Sequence, residues 1–292
     1  MNDYRALLES TAEHLLALKN RGVNHVSVRP ETLAALNKPV AVRATAPTSK
    51  ISTPAPVKPV ASAAPIAPAA AVLPRPSKET AMQEIRERAL ACCKCPHLAS
   101  SRRNVVFGVG DIHSPVMFVG EAPGADEDVQ GEPFVGAAGQ LLTKIIKAMG
   151  FTRESVYIAN VLKCRPDTPG QTSGNRKPTS EEMKTCLPYL LAQIDVIRPK
   201  VMVALGATAI EGLLGRAEPV GKLRGKFLEF REIPLMPTFH PSYLLRNQAQ
   251  SEKRKVWEDM LQVLERLDAP ISEKQRGFFL PTSNRSEMAA TA

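Results

Sequence analysis

Apolar and polar residues follow one another along this chain in blocks that predict an α/β domain. Val116-Met117-Phe118-Val119 is a short apolar run, consistent with a buried parallel strand. Gly120-Glu121-Ala122-Pro123-Gly124 ends it, because two glycines and a proline force a tight turn that exposes backbone. An acidic segment, Asp126-Glu127-Asp128, leads to a second turn through Gly131 and Pro133. Leu141, Leu142, Ile145 and Ile146 then recur with a helical period up to Met149-Gly150, where a glycine suits the end of a helix. A strand, a glycine-rich loop and a helix in that order place ligand groups at the carboxyl edge of an α/β sheet.

The pattern elsewhere supplies the rest of such a sheet. Lys78 to Cys92 reads as a helix, and Arg102 to Val109 as a basic turn running into a short strand. Val156 to Val161 and Lys200 to Leu205 are two further buried strands. Thr179 with Glu182 three residues on is a capping-box pattern and predicts a helix to Ile197. Gly206 precedes a short helix to Leu214. Leu223–Phe230 and Ile233–Phe239 predict a hairpin whose second arm delivers His240. The last helix spans Ser251 to Leu267, with Val256, Trp257, Met260, Leu261, Val263 and Leu264 on its packing side.

Composition sets the boundaries. Prolines crowd between Pro39 and Pro76 amid alanine, serine and valine, too few large apolar side chains to offset the entropy of ordering. We therefore expect a short helical arm over 1–38, with Tyr4 to Lys19 amphipathic, and a Pro/Ala-rich linker over 39–77. A single domain follows over 78–268 and a disordered tail over 269–292. The formal net charge of +9 suits a polyanionic partner. With no apolar run near the roughly 18 residues of a membrane span and no signal-peptide pattern, we expect a cytoplasmic monomer without membrane association.

Chemistry concentrates at a few positions. Cys92 and Cys95 form a two-ligand turn, and Cys164 and Cys186 are the natural second pair, with Cys93 left over. Four thiolates suit either a tetrahedral zinc or a [4Fe–4S] cluster. His240 closes a strand and is followed by Leu244-Leu245-Arg246, two apolar side chains beside a cation, the makings of a wedge that enters a base stack. Asn160 closes another strand, where an amide presents both a donor and an acceptor to a flat heterocycle. Phe134 is either core filler or a stacking platform.

GEAPGADEDVQGEPFVG, VYIANVLKCRP, NRKPTSEEMKTC and TFHPSYLLRN closely resemble family 4 uracil-DNA glycosylases, the iron–sulfur members of that superfamily. The resemblance covers about Glu84 to Leu267. It implies a three-layer α/β/α sandwich with a small parallel central sheet, and a [4Fe–4S] cluster on Cys92, Cys95, Cys164 and Cys186. It also implies a DNA repair enzyme acting on uracil-containing DNA, single- or double-stranded. Deoxyuridine would be flipped into a pocket floored by Gly120 and Ala122, stacked on Phe134 and read by Asn160. His240 would stabilise the charge that appears on uracil O2, and Leu244, Leu245 and Arg246 would hold the DNA.

In the best-known relatives a water-activating aspartate stands where this chain has Ala122. Glu121 is then the first candidate to orient water, with Glu127 and Asp128 behind it. The Cys164–Cys186 interval carries an extra DTPGQTSG and no histidine, so the covalent uracil-DNA linkage of a related branch is not expected. Asn247-Gln248 replaces the commoner Asn-Pro. A cluster-bearing DNA-binding module without turnover, and a glycosylase of broader deaminated-base range, are the alternatives.

Overall fold

The computed structural model describes residues 76–167 and 176–280. The expected arm over 1–38, nearly all of the linker, the middle of the polar loop after Asp167 and the tail from 281 lie outside the described residues. Helix α1 (Lys78–Leu90) opens on Ser77, whose hydroxyl accepts the Thr80 N–H at 3.2 Å, and it buries Met82, Ile85 and Ala89. Helix α2 (Pro96–Ser101) follows the first two candidate ligands, Cys92 and Cys95.

The sheet has six strands: β1 (Val109–Gly110), β2 (Val116–Gly120), β3 (Tyr157–Asn160), β4 (Val201–Leu205), β5 (Leu228–Phe230) and β6 (Ile233–Thr238). Their order is β1-β3-β2-β4-β6-β5. The inner four run parallel and the two edge strands pair antiparallel. β2, β3 and β4 are buried along their whole length, as continuous apolar runs in a covered parallel sheet should be.

Alternation along the strands sorts the core into two layers. Met117, Val119, Tyr157, Ala159, Met202 and Ala204 face α1, helix α5 (Ser180–Ile197) and helix α6 (Ala207–Leu214). Phe118, Ile158, Val201 and Val203 face helix α4 (Ala137–Ala148) and helix α9 (Gln250–Arg266). This is the three-layer α/β/α arrangement. From β2 the chain passes through α4 to β3 on one side, then through α5 to β4 on the other. The order therefore reverses at the carboxyl end of β2, where open α/β sheets bind ligands.

Several expectations need correction. The acidic segment, to which the sequence pattern assigns no element, forms helix α3 (Ala125–Gln130), whose Asp126, Glu127 and Asp128 fill its first turn, where carboxylates suit the helix dipole. Only Val109 and Gly110 form β1, because Val106 already donates its N–H to Lys163 O at 2.8 Å in a loop contact. The first hairpin arm begins at Leu228. Val220–Leu223 is a short helix, α7, and the Arg224 guanidinium that follows is drawn to Asp259 at 2.8 Å.

The stretch after His240 is helix α8 (Pro241–Arg246) rather than a loop, with proline at the first helical position. Ala269–Leu280, expected to be frayed, folds back and carries helix α10 (Glu273–Arg276). Trp257 Nε1 donates to Gln275 O at 2.5 Å and Gln275 Nε2 to Ala148 O at 2.8 Å, so side chains of the last long helix and of the returning segment fix it. Among the described residues no helix is long and apolar enough to cross a membrane.

Candidate active site

A cavity of about 500 Å³ opens where the parallel strands end. Glu121 and Ala122 enter it from β2, Asn160 from β3, Gly206 from β4 and His240 from β6, with Phe134 as a wall and Arg176 and Arg246 among the lining cations. Glu121, Glu127, Ala122, Phe134, Asn160, His240 and Arg246, expected from six separate places in the sequence, thus line one pocket. Gly120 lies beneath it. A side chain there would meet Asn160 Oδ1 at 2.4 Å and the Phe134 ring at 2.5 Å, so only glycine lets those two groups approach.

Asn160 is 2% exposed, and its Oδ1 is buried without a hydrogen-bond partner. An orphan acceptor of that kind carries a desolvation cost unless a ligand donor meets it. Across the pocket, His240 caps α8. Its Nδ1 accepts the Ser242 backbone N–H at 3.1 Å and lies 2.7 Å from Ser242 Oγ. A backbone N–H can only donate, so Nδ1 holds its lone pair and the proton of a neutral imidazole sits on Nε2. Burial, helped by the Arg246 charge, lowers the His240 pKa to about 4, which keeps the ring neutral at physiological pH. The Phe134 ring lies 5.6 Å from it.

The three acidic candidates separate. Glu121 lines the pocket, and burial raises its pKa while a hydrogen bond with Thr208 partly offsets that. Glu127 is a clamp. Its Oε1 accepts the Val135 and Gly136 N–H groups at 3.0 and 3.1 Å and its Oε2 the Gly124 N–H at 3.1 Å, tying both turns of the glycine-rich loop together. Both its oxygens are thus engaged in bracing the loop that shapes the pocket. Asp128 is buried and accepts the Arg103 N–H at 3.0 Å, away from the pocket lining.

The wedge also needs correcting. Leu244 is 5% exposed and packs inward on α8, whereas Leu245 is 40% exposed. A helix turns consecutive side chains about 100° apart, so only one of the pair can face solvent. Sequence reasoning missed Arg176 and Ser242. The Ser242 signal was available in His240-Pro241-Ser242, a cap residue with a hydroxyl two positions on.

Cys92, Cys95, Cys164 and Cys186 line one small cavity of about 20 Å³ together with Leu98, Arg102, Leu162 and Thr185. Among the described residues no group of three His, Cys, Asp or Glu side chains is placed to hold a metal ion, so the thiols surround a space rather than converge on a point. Two donors already reach sulfur: Arg102 Nη1 lies 3.1 Å from Cys164 Sγ, and the Lys163 N–H 3.2 Å from Cys186 Sγ. Burial pushes the Cys186 thiol up to about 12 and raises Cys164 and Cys95. A bound metal reverses that preference by favouring thiolate. Four cysteines with N–H donors to sulfur in an apolar wall fit a thiolate-held cluster.

Fold and site together define an α/β protein with a pocket at its switch point that gathers a carboxyl, an amide and an imidazole. The model of the uracil DNA glycosylase superfamily matches residues 107–261, and the chain belongs to that superfamily. A Type-4 uracil-DNA glycosylase of Thermotoga maritima is 46% identical over 186 residues, 63% of this chain and 93% of that protein. Similar proteins of the same description occur in Pyrobaculum aerophilum, 45% identical over 176 residues (58% and 86%), and Sulfurisphaera tokodaii, 38% over 215 residues (70% and 93%).

Proposed function

We propose that this chain hydrolyses the N-glycosidic bond of deoxyuridine in DNA, releasing uracil and leaving an abasic site for repair. The orphaned Asn160 Oδ1 carries the reading. Uracil presents an N3–H donor to such an acceptor and an O4 acceptor to the amide Nδ2. Cytosine presents a bare N3 and would leave Oδ1 unsatisfied, a mismatch of the kind that discriminates strongly in buried sites. Flipping the nucleotide into the pocket costs a few kcal/mol, least where the base is unpaired or mispaired.

As the bond breaks, electrons move onto the uracil ring and negative charge builds at O2. The Nε2–H of neutral His240 donates to that oxygen, and a preorganised donor in a pocket screened from water is worth most at that moment. Phe134 holds the ring by stacking. Glu121 is the carboxylate left to orient the attacking water and to offset positive charge on the sugar. Arg176, Arg246 and the exposed Leu245 face the flanking DNA.

Cys92, Cys95, Cys164 and Cys186 would hold a [4Fe–4S] cluster, which supplies a structural crosslink between three chain regions. The four-thiol cavity with its N–H donors to sulfur supports that assignment. The test is base release from oligonucleotides carrying deoxyuridine, deoxyinosine or deoxyxanthosine, each single-stranded and paired. Release of uracil alone is expected. Binding without release of any base would sink the enzymatic reading, and comparable release of cytosine from the same oligonucleotides would overturn the specificity assigned to Asn160. Hypoxanthine, whose N1–H and O6 repeat the uracil edge, tests only whether the pocket excludes a purine by size.

A further inference from the structure

Phe134 has a backbone φ of 55°, a left-handed conformation that costs a bulky residue about 1–3 kcal/mol and persists only where its surroundings enforce it. Two charged side chains enforce it from opposite sides. Glu127 accepts the N–H groups of the next two residues. Arg153, outside the pocket lining, donates from Nη1 to Phe134 O at 3.0 Å and from Nη2 to Pro133 O at 2.8 Å. Arg153 Nη1 also reaches Thr143 Oγ1 at 3.3 Å, and Thr143 Oγ1 donates to Gly139 O at 3.0 Å, which anchors the guanidinium to α4. A side chain at Gly139 would collide with Phe134 O at 1.8 Å, so the carbonyl that Arg153 holds is pressed against the helix.

We infer that Arg153 is a positioning residue for base binding: its fork fixes two successive carbonyls and thereby sets the plane of the Phe134 ring beside Gly120 and His240. This rests on the functional reading above. A stacking wall acts on the bound base before and during bond cleavage, so its misplacement weakens affinity more than the chemical step.

The inhibition constant of free uracil and the single-turnover rate at saturating enzyme are measured for wild type, Arg153→Gln and Arg153→Lys. Each is measured again in a Phe134→Leu background. Arg153→Gln is expected to weaken uracil about tenfold and the single-turnover rate less. Arg153→Lys is expected to weaken uracil about threefold, since an ammonium cannot bridge two carbonyls as a planar fork does. With the ring gone, in Phe134→Leu, Arg153→Gln is expected to add less than twofold, the coupling that a merely stabilising arginine would not produce.

Unchanged uracil affinity in Arg153→Gln, or the same tenfold loss in the Phe134→Leu background, overturns the inference. If Arg153→Gln does not fold, Arg153→Lys is judged by the same two outcomes at its threefold scale. A wild type that releases no uracil overturns the functional reading and this one together. A wild type that releases it while the variants bind uracil normally overturns only the role of Arg153.

Discussion

The base pocket and the cysteine cavity are built from neighbouring stretches of chain yet differ in kind. The pocket is about 500 Å³, lined by four strand ends, and presents a carboxyl, an amide and an imidazole. The cavity is about 20 Å³, walled by Leu98 and Leu162, and presents sulfur. The end of β3 and the residues that follow it serve both. Asn160 faces the pocket, Cys164 faces the cavity, and Lys163 between them donates its Nζ to Asn160 O at 3.0 Å and its N–H to Cys186 Sγ at 3.2 Å. A second strap runs from Arg176 at the pocket to Glu182 and on to His97 beside the cysteines, at 2.5 and 2.6 Å. Arg176 first, and His97 after burial has opposed it, hold the Glu182 carboxyl down to about 2. The contrast teaches that damage to the cavity should spread, whereas damage in the pocket should stay local and chemical.

The hardest test of that contrast is Cys164→Ala, for which iron and soluble folded protein should be lost together. Cys164→Ala protein that stayed soluble, folded and fully active without bound iron would break the comparison, because the cavity would then not hold the fold. His240→Ala comes next. It should lower the single-turnover rate by roughly 10²–10³-fold, about 2.7–4 kcal/mol, by analogy with deleting one oxyanion donor. Affinity for uracil-DNA should stay near wild type, and stability should fall by no more than the roughly 0.5–2 kcal/mol of a lost helix cap. A loss of binding in proportion to rate would make His240 a positioning residue.

The smallest effect concerns protons. His240 has a folded pKa of about 4, below its ordinary 6.5, so the unfolded chain binds this proton more readily. Its contribution is therefore neutral above pH 6.5 and destabilising as pH falls toward 4. Between pH 6.5 and 5 the loss should not exceed about 2 kcal/mol, since the pocket edge of the ring still meets water. The slope of stability against pH over that window should flatten in His240→Asn. A wild-type slope retained in that variant would place the titration elsewhere.

Local signals accounted for much of the architecture. The capping box at Thr179 and Glu182 appears as read, with the Thr179 N–H reaching Glu182 Oε2 at 2.7 Å, because a cap is satisfied within four residues. The three buried parallel strands were legible because a strand covered on both faces must be apolar throughout. α3 and α8 were not legible as helices. Each is six residues long, and the acidic run and the HPSYLLR stretch also carry turn or loop signals.

By itself the sequence determined the residue types at the strand ends and the four cysteines, since each motif is contiguous and chemically distinctive. Only the tertiary structure decided how they divide the work. Glu127 became a backbone clamp and Glu121 the pocket carboxyl because the turn folds one inward onto N–H groups and leaves the other at a strand end. Leu244 was buried and Leu245 exposed because a helix, not a loop, carries them. Arg153 has no sequence signal at all. Its partners are the carbonyls of Pro133 and Phe134, about twenty residues away, and a carbonyl is the same group at every position until the fold presents one to a guanidinium.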